Sequence, residues 1–182
     1  MKRLLNPVGH FSERTLLFIS LMGVVLNMVF CYLLGYRMTS VLNFVDGEFS
    51  FGEVLRATLM AYLLGIVVLY LLGLIYNKRT RWIDIVNTVV LSTLPGLLIL
   101  LCANIPKFLE VQNRLLAQPA SISLTDSAIM FGFVLLTLPA LAYTFILFFN
   151  GFKTATHMKK WYQIAIFFIV LLSLAAFSPY IL

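Results

Sequence analysis

Five stretches of this chain contain no Asp, Glu, Lys or Arg: residues 15–36, 57–77, 85–106, 127–152 and 161–182. Each is at least 21 residues long, and a helix needs about 20 to cross the hydrocarbon of a bilayer. A lipid-exposed backbone must satisfy its own hydrogen bonds, so each stretch is expected to be a helix. The alternating ten-residue strands of a membrane barrel are absent. The expected fold is an all-α polytopic bundle of five transmembrane helices in one domain over residues 1–182. The spans are placed at about 15–36, 54–76, 83–104, 127–149 and 161–181.

Composition excludes the soluble alternative. The chain is 62% hydrophobic and 11% charged, whereas soluble domains carry roughly 25% charged residues. A soluble fold of this size would expose large apolar patches. The net charge of +6 does not point to nucleic acid, because the basic residues sit in small groups flanking apolar runs. Cys31 and Cys102 both lie inside apolar runs and are read as packing residues rather than a disulfide.

The first fourteen residues resemble the charged region of a signal peptide, but the run after them is too long for a signal core and lacks a small-x-small cleavage site. They are read as preceding a retained anchor, with Leu4, Leu5, Val8 and Phe11 along the headgroups as a short amphipathic piece. Ser50-Phe51-Gly52-Glu53 has capping-box spacing and starts the second helix near Phe51. Glu53 and Arg56 are then one turn apart and expected to pair. Ala61, Gly65 and Gly73 share a face that would admit another backbone.

The basic turn Lys78-Arg79-Thr80-Arg81 closes a hairpin between the second and third helices, with Trp82 as an interfacial anchor and Asp84 in the first turn of the third. Asn104-Ile105-Pro106 ends that helix. Between residues 107 and 126, apolar residues at helical spacing suggest a short surface helix. Thr125 or Asp126 is expected to cap the fourth span, Asn150-Gly151 to stop it, and Trp161-Tyr162 to open the fifth, whose last turn Pro179 loosens.

Orientation follows from the basic residues. With the N-terminus cytoplasmic, nine lie inside (Lys2, Arg3, Arg14, Lys78, Arg79, Arg81, Lys153, Lys159 and Lys160) and four outside (Arg37, Arg56, Lys107 and Arg114). The C-terminus is therefore expected to be extracytoplasmic.

Chemistry is sparse. No ionisable group lies in the middle of a span, which argues against a carboxylate proton pump or an Arg-driven sensor. His10 and His157 have no second ligand at metal spacing, and no nucleophile elbow, P-loop or dinucleotide fingerprint occurs. No enzyme activity, metal or cofactor is expected. Polar residues left inside the spans include Asn27, Asn87, Thr88, Ser92 and Thr93, which can bridge helices or line a path. Thr93-Leu94-Pro95-Gly96-Leu97 and Thr137-Leu138-Pro139-Ala140-Leu141 repeat one pattern on helices of opposite direction. Pro95 and Pro139 each free a carbonyl one turn back, at Leu91 and Leu135, and the Thr hydroxyls two residues before each proline are placed to adjust the local backbone. The candidate positions are therefore Asn27, Asn87, Ser92, Thr93, Pro95, Thr137 and Pro139. Paired interruptions of this kind also mark transporter sites.

The run Tyr70-Leu71-Leu72-Gly73-Leu74-Ile75-Tyr76, the basic turn, the Trp82-led helix and Leu94-Pro95 together resemble the Yip1 domain family in its short prokaryotic form. Phe149-Asn150-Gly151-Phe152-Lys153, flowing into a basic loop and last helix, resembles the same family. The resemblance implies five spans in this orientation and a bacterial cytoplasmic (inner) cell membrane. Eukaryotic members bind Rab GTPases in vesicle traffic through a longer cytosolic region with an Asp-Leu-Tyr-Gly-Pro motif. Only fourteen residues precede the first span here, so Rab-type binding is not expected. The expectation is a non-enzymatic membrane protein whose partners are membrane lipids, a membrane protein or a second copy. The alternative is a small carrier or lipid-moving protein with a mid-membrane site near the two prolines.

Overall fold

The computed structural model describes residues 5–117 and 123–180. Six α-helices dominate: α1 (Glu13–Leu34), α2 (Phe51–Tyr76), α3 (Trp82–Ala103), α4 (Pro106–Ala117), α5 (Leu124–Thr156) and α6 (Trp161–Phe177). All but α4 are long and apolar enough to cross a membrane, α6 together with the 3-10 turn Ser178–Tyr180 that contains Pro179. The five sit where the uncharged stretches place them. Residue 181, the expected end of the last span, lies outside the described residues, as do Leu4, Lys2 and Arg3.

Local signals explain most boundaries. Ser50 and Glu53 close the capping box at the start of α2: the Ser50 hydroxyl accepts from the Glu53 N–H at 3.3 Å, and the Ser50 N–H donates to the Glu53 carboxylate at 2.8 Å. That bond occupies the carboxylate, and no Glu53–Arg56 ion pair forms among the described residues. The cap of α5 is Ser123, with Asp126 as its reciprocal partner, rather than Thr125 or Asp126 itself. Gly35 ends α1 in the left-handed region at φ 71°.

The fourth span corrects an expectation. Asn150-Gly151 does not stop it; α5 runs on to Thr156 and is capped by His157 at φ 57°. Gly151 serves packing instead. A Cβ there would lie 2.7 Å from both Cγ2 and Oγ1 of Thr88, so the missing side chain lets α5 press against α3. The α3–α5 contact is the most extensive in the fold, and Thr88 near the start of α3 meeting Gly151 near the end of α5 makes the two antiparallel.

The connection after α1 adds two short strands to the expected all-α bundle. It forms an antiparallel hairpin, β1 (Tyr36–Met38) with β2 (Phe44–Asp46), Arg37 opposite Val45. Its tip is inside the bundle: Met38, Thr39, Ser40 and Val41 are all buried. Val41 lies against Gly65, fourteen residues along α2 from Phe51, or about 21 Å at the helical rise. Phe44 lies against Gly96 of α3, and Asn43 Nδ2 and Ser178 Oγ tie the tip to α6 through the Ala175 and Thr39 carbonyls, at 2.8 and 2.5 Å. The small-residue face of α2 therefore receives the hairpin's Val41 with Val89 of α3 at Gly65, and Thr80 with Thr156 of α5 at Gly73.

Turns gather by charge. The α2–α3 turn, the α5–α6 turn and the start of α1 meet at one end, joined by Arg81 to Glu13, Tyr76 Oη to the Gln163 carbonyl and Asn6 to Thr154. Just before α1, residues 7–11 form a turn closed by His10 and Phe11 N–H donation to the Pro7 carbonyl. The hairpin base, the α3–α4 junction and the start of α5 form the other end. There α4 is a short helix, as expected, held to α5 by buried Val111, Phe108 on Phe133, and Arg114 bridging Glu110 and Asp126.

Candidate functional site

The polar residues singled out within the apolar runs fall into two groups. Asn27 is fully buried between α1, α2 and α3. Its Nδ2 donates to Tyr62 Oη at 2.9 Å, and its Oδ1 accepts from Cys31 Sγ at 3.4 Å. Tyr62 Oη lies 2.8 Å from Thr93 Oγ1, which gives its own proton to the Val90 carbonyl at 2.8 Å. Tyr62 must therefore be the donor to Thr93, and the chain of bonds has one direction: Asn27 to Tyr62 to Thr93 to the α3 backbone. Three helices are stitched by it. The sequence reading missed Tyr62, although a tyrosine deep in an apolar run needs a partner for its hydroxyl.

One end-ward step along the α1–α3 seam, Ser20 Oγ donates to Asn87 Oδ1 at 2.8 Å. Gly23 of α1 allows this approach, since a Cβ there would lie 3.1 Å from Leu94 Cδ2. Asn87 Nδ2 and Thr58 Oγ1 are buried with no hydrogen-bond partner among the described residues. Ser92 Oγ donates to the Thr88 carbonyl and Thr88 Oγ1 to the Asp84 carbonyl, each at 2.6 Å, so both hydroxyls are spent on their own helix. Cys31 and Cys102 are free thiols.

The second group sits on the α3–α5 seam, and the fold does bring the prolines together. Pro95 and Pro139 line one cleft of about 450 Å³ with Leu98, Leu136, Thr137 and Tyr143. A second cleft of about 440 Å³ shares Pro95, Leu98 and Tyr143 and lies toward the end that holds the α2–α3 and α5–α6 turns, where Pro7 and Phe11 border it. The walls of these two adjoining clefts, together the α3–α5 groove, are almost wholly apolar. Thr137 Oγ1, its one hydroxyl from the repeated motif, donates to the Phe133 carbonyl at 2.9 Å. The Thr hydroxyls thus bind the Val90 and Phe133 carbonyls, not those of Leu91 and Leu135 that the proline rings free. Pro95 is buried while Pro139 is exposed, so the groove opens along α5.

Asn27 and Thr93 belong to the helix-linking chain, Asn87 and Ser92 to the α1–α3 seam, and Pro95, Thr137 and Pro139 to the groove. No cluster of three His, Cys, Asp or Glu able to hold a metal occurs among the described residues. The arrangement offers an apolar seat beside a stitched three-helix core. Comparisons with protein-family models, with characterised proteins and with solved structures return no match to this chain.

Proposed function

We propose that this chain is a multi-pass integral membrane protein of the Yip1 domain type, without enzymatic activity. It acts through contacts with membrane lipids, a membrane-protein partner or a second copy of itself. Its N-terminus faces the cytosol and its C-terminus the outside, across a bacterial cytoplasmic membrane. The observation that carries the reading is the segregation of charge between the two ends. Arg14, Lys78, Arg79, Arg81, Lys153, Lys159 and Lys160 share one end with only Glu13 and Asp84. Arg37, Arg56, Lys107 and Arg114 share the other with five carboxylates, Asp46, Glu48, Glu53, Glu110 and Asp126. Such asymmetry across apolar helices orients a chain in a bilayer with its basic end cytosolic. Exposed Leu33, Ile75, Phe131 and Ile169 on the helix sides suit lipid as solvent.

The test pairs extraction with topology. The protein should stay with membranes through an alkaline wash, and reporters fused to the two termini should register on opposite sides. Reporters on the same side would overturn the orientation, and recovery in a high-speed supernatant without detergent would overturn the membrane assignment.

The α3–α5 groove favours one form of the second reading. Because its walls are apolar, a carrier built on Pro95 and Pro139 would move a lipid rather than a polar solute. Reconstituted vesicles should then scramble a labelled phospholipid, and Pro95→Ala or Pro139→Ala should change the rate. Vesicles no faster than protein-free controls would dismiss it.

A further inference from the structure

Between α5 and α6 lies another cleft, of about 360 Å³, lined by Phe145, Ile146, Phe149, Asn150, Ile164 and Phe168. Its floor is aromatic: Phe168 stacks on Phe149 with centroids 6.1 Å apart and tilts against Phe145 at 6.4 Å. Helical spacing sets what borders its mouth at the basic end. Lys153 follows Phe149 and Asn150 by one turn on the same face of α5, and its Nζ lies 5.5 Å from the Phe149 ring centroid. Trp161, 80% exposed, precedes Ile164 and Phe168 by one and two turns on α6. Lys159 and Lys160 occupy the short turn between the helices, Lys160 Nζ lying 5.6 Å from the Tyr162 ring centroid.

These three lysines lack counter-charges. Among the described residues none forms an ion pair. Of the two carboxylates at this end, Glu13 is held by Arg81, and Asp84 stands among Arg81, Glu13 and His157. Asn150 adds an amide at the mouth, with one N–H given to the Leu5 carbonyl at 2.8 Å. An apolar cleft between helices, opening on uncompensated ammonium groups beside an exposed indole, has the chemistry of a lipid site with an anionic head.

We infer that the α5–α6 cleft binds an anionic phospholipid of the leaflet facing the basic end, one acyl chain on the Phe145–Phe149–Phe168 floor and the phosphate at Lys153, with Lys159 and Lys160 adding attraction. This rests on the membrane reading above and names its lipid class. An acidic protein would need the charge but not the apolar floor, and a second copy would need the floor but not the charge.

The experiment uses the full chain purified in mild detergent and titrated with phosphatidylglycerol or phosphatidylcholine under native mass spectrometry. One phosphatidylglycerol should be retained per chain in preference to phosphatidylcholine. Lys153→Gln should weaken that retention about fivefold, and Lys159→Gln with Lys160→Gln by a similar factor for each charge that the phosphate feels. Phosphatidylcholine retention should not change, and Lys107→Gln, at the opposite end, should change neither. Equal retention of the two lipids, or no effect of Lys153→Gln, overturns the inference. So does full displacement by millimolar inorganic phosphate, which would mean the floor contributes nothing, or a dimer that persists without lipid and excludes it. Failure of the membrane reading shows earlier and separately, as protein in the detergent-free supernatant.

Discussion

Filling the space at Gly65 tests whether the β1–β2 tip is truly seated in the bundle. A Cβ built at Gly65 would stand 2.5 Å from Val41 Cγ1 and 3.6 Å from Val89 Cγ1. Val41 is only 2% exposed, and its branched Cβ leaves it few rotamers into which to retreat. Overpacking of this kind costs about 1–3 kcal/mol, against which alanine gains about 1 kcal/mol of helix propensity over glycine. Gly65→Ala alone should therefore destabilise by up to about 2 kcal/mol. Val41→Ala alone removes two methyl groups from a buried site and should cost about 1–2 kcal/mol. In the double variant the new methyl occupies the room that Val41 vacates, removing the clash and part of the cavity together. The double variant should then be about 1–3 kcal/mol more stable than the sum of the singles. Reversible unfolding in mixed micelles, titrated with a denaturing detergent and followed by circular dichroism, measures all four corners of the cycle. Additivity within about 0.5 kcal/mol would refute the contact, and with it the insertion of the hairpin.

Tyr62→Phe should cost about 1–2 kcal/mol in the same assay, because it strips Asn27 of its acceptor and Thr93 of its donor. Replacing Asn27, Tyr62 and Thr93 together by Leu, Phe and Val should cost less than the three singles summed; a strictly additive result would mean the groups are not linked. Gly151→Ala drives a methyl to 2.7 Å from Thr88 and should destabilise by about 2 kcal/mol, with recovery on adding Thr88→Ala. Gly35→Ala must place a Cβ at φ 71° and should lower stability by about 1–2 kcal/mol, seen as an earlier unfolding midpoint.

Much was legible in the order of residues because a long uncharged run can satisfy its backbone hydrogen bonds only within itself. A run of at least 21 uncharged residues has few options besides a helix, so the five long helices appear where the runs lie. Capping is equally local, so Ser50-Phe51-Gly52-Glu53 announced the start of α2. The glycines show the limit of such reading. Gly151 after Asn150 has the look of a helix stop, yet it is the point where Thr88 presses α3 onto α5, and only the partner helix decides between those uses. Gly65 promised a close approach without saying by what, and the answer, Val41, comes from the hairpin between α1 and α2, which no local pattern ties to that glycine.

The candidate positions divide the same way. That Asn27, Thr93, Pro95 and Pro139 lie within apolar runs, and that Pro95 and Pro139 repeat one motif, is written in the chain. Whether they form a polar path was not, because a hydroxyl or amide in an apolar run has its energy set by the groups across from it. Folding gave Asn27 and Thr93 a common partner in Tyr62, and gave the prolines an apolar groove in place of a polar one. Helix existence is dictated by each segment's own solvation, while the choice of neighbour depends on which knob finds which gap, and that is a property of pairs of segments far apart in the chain.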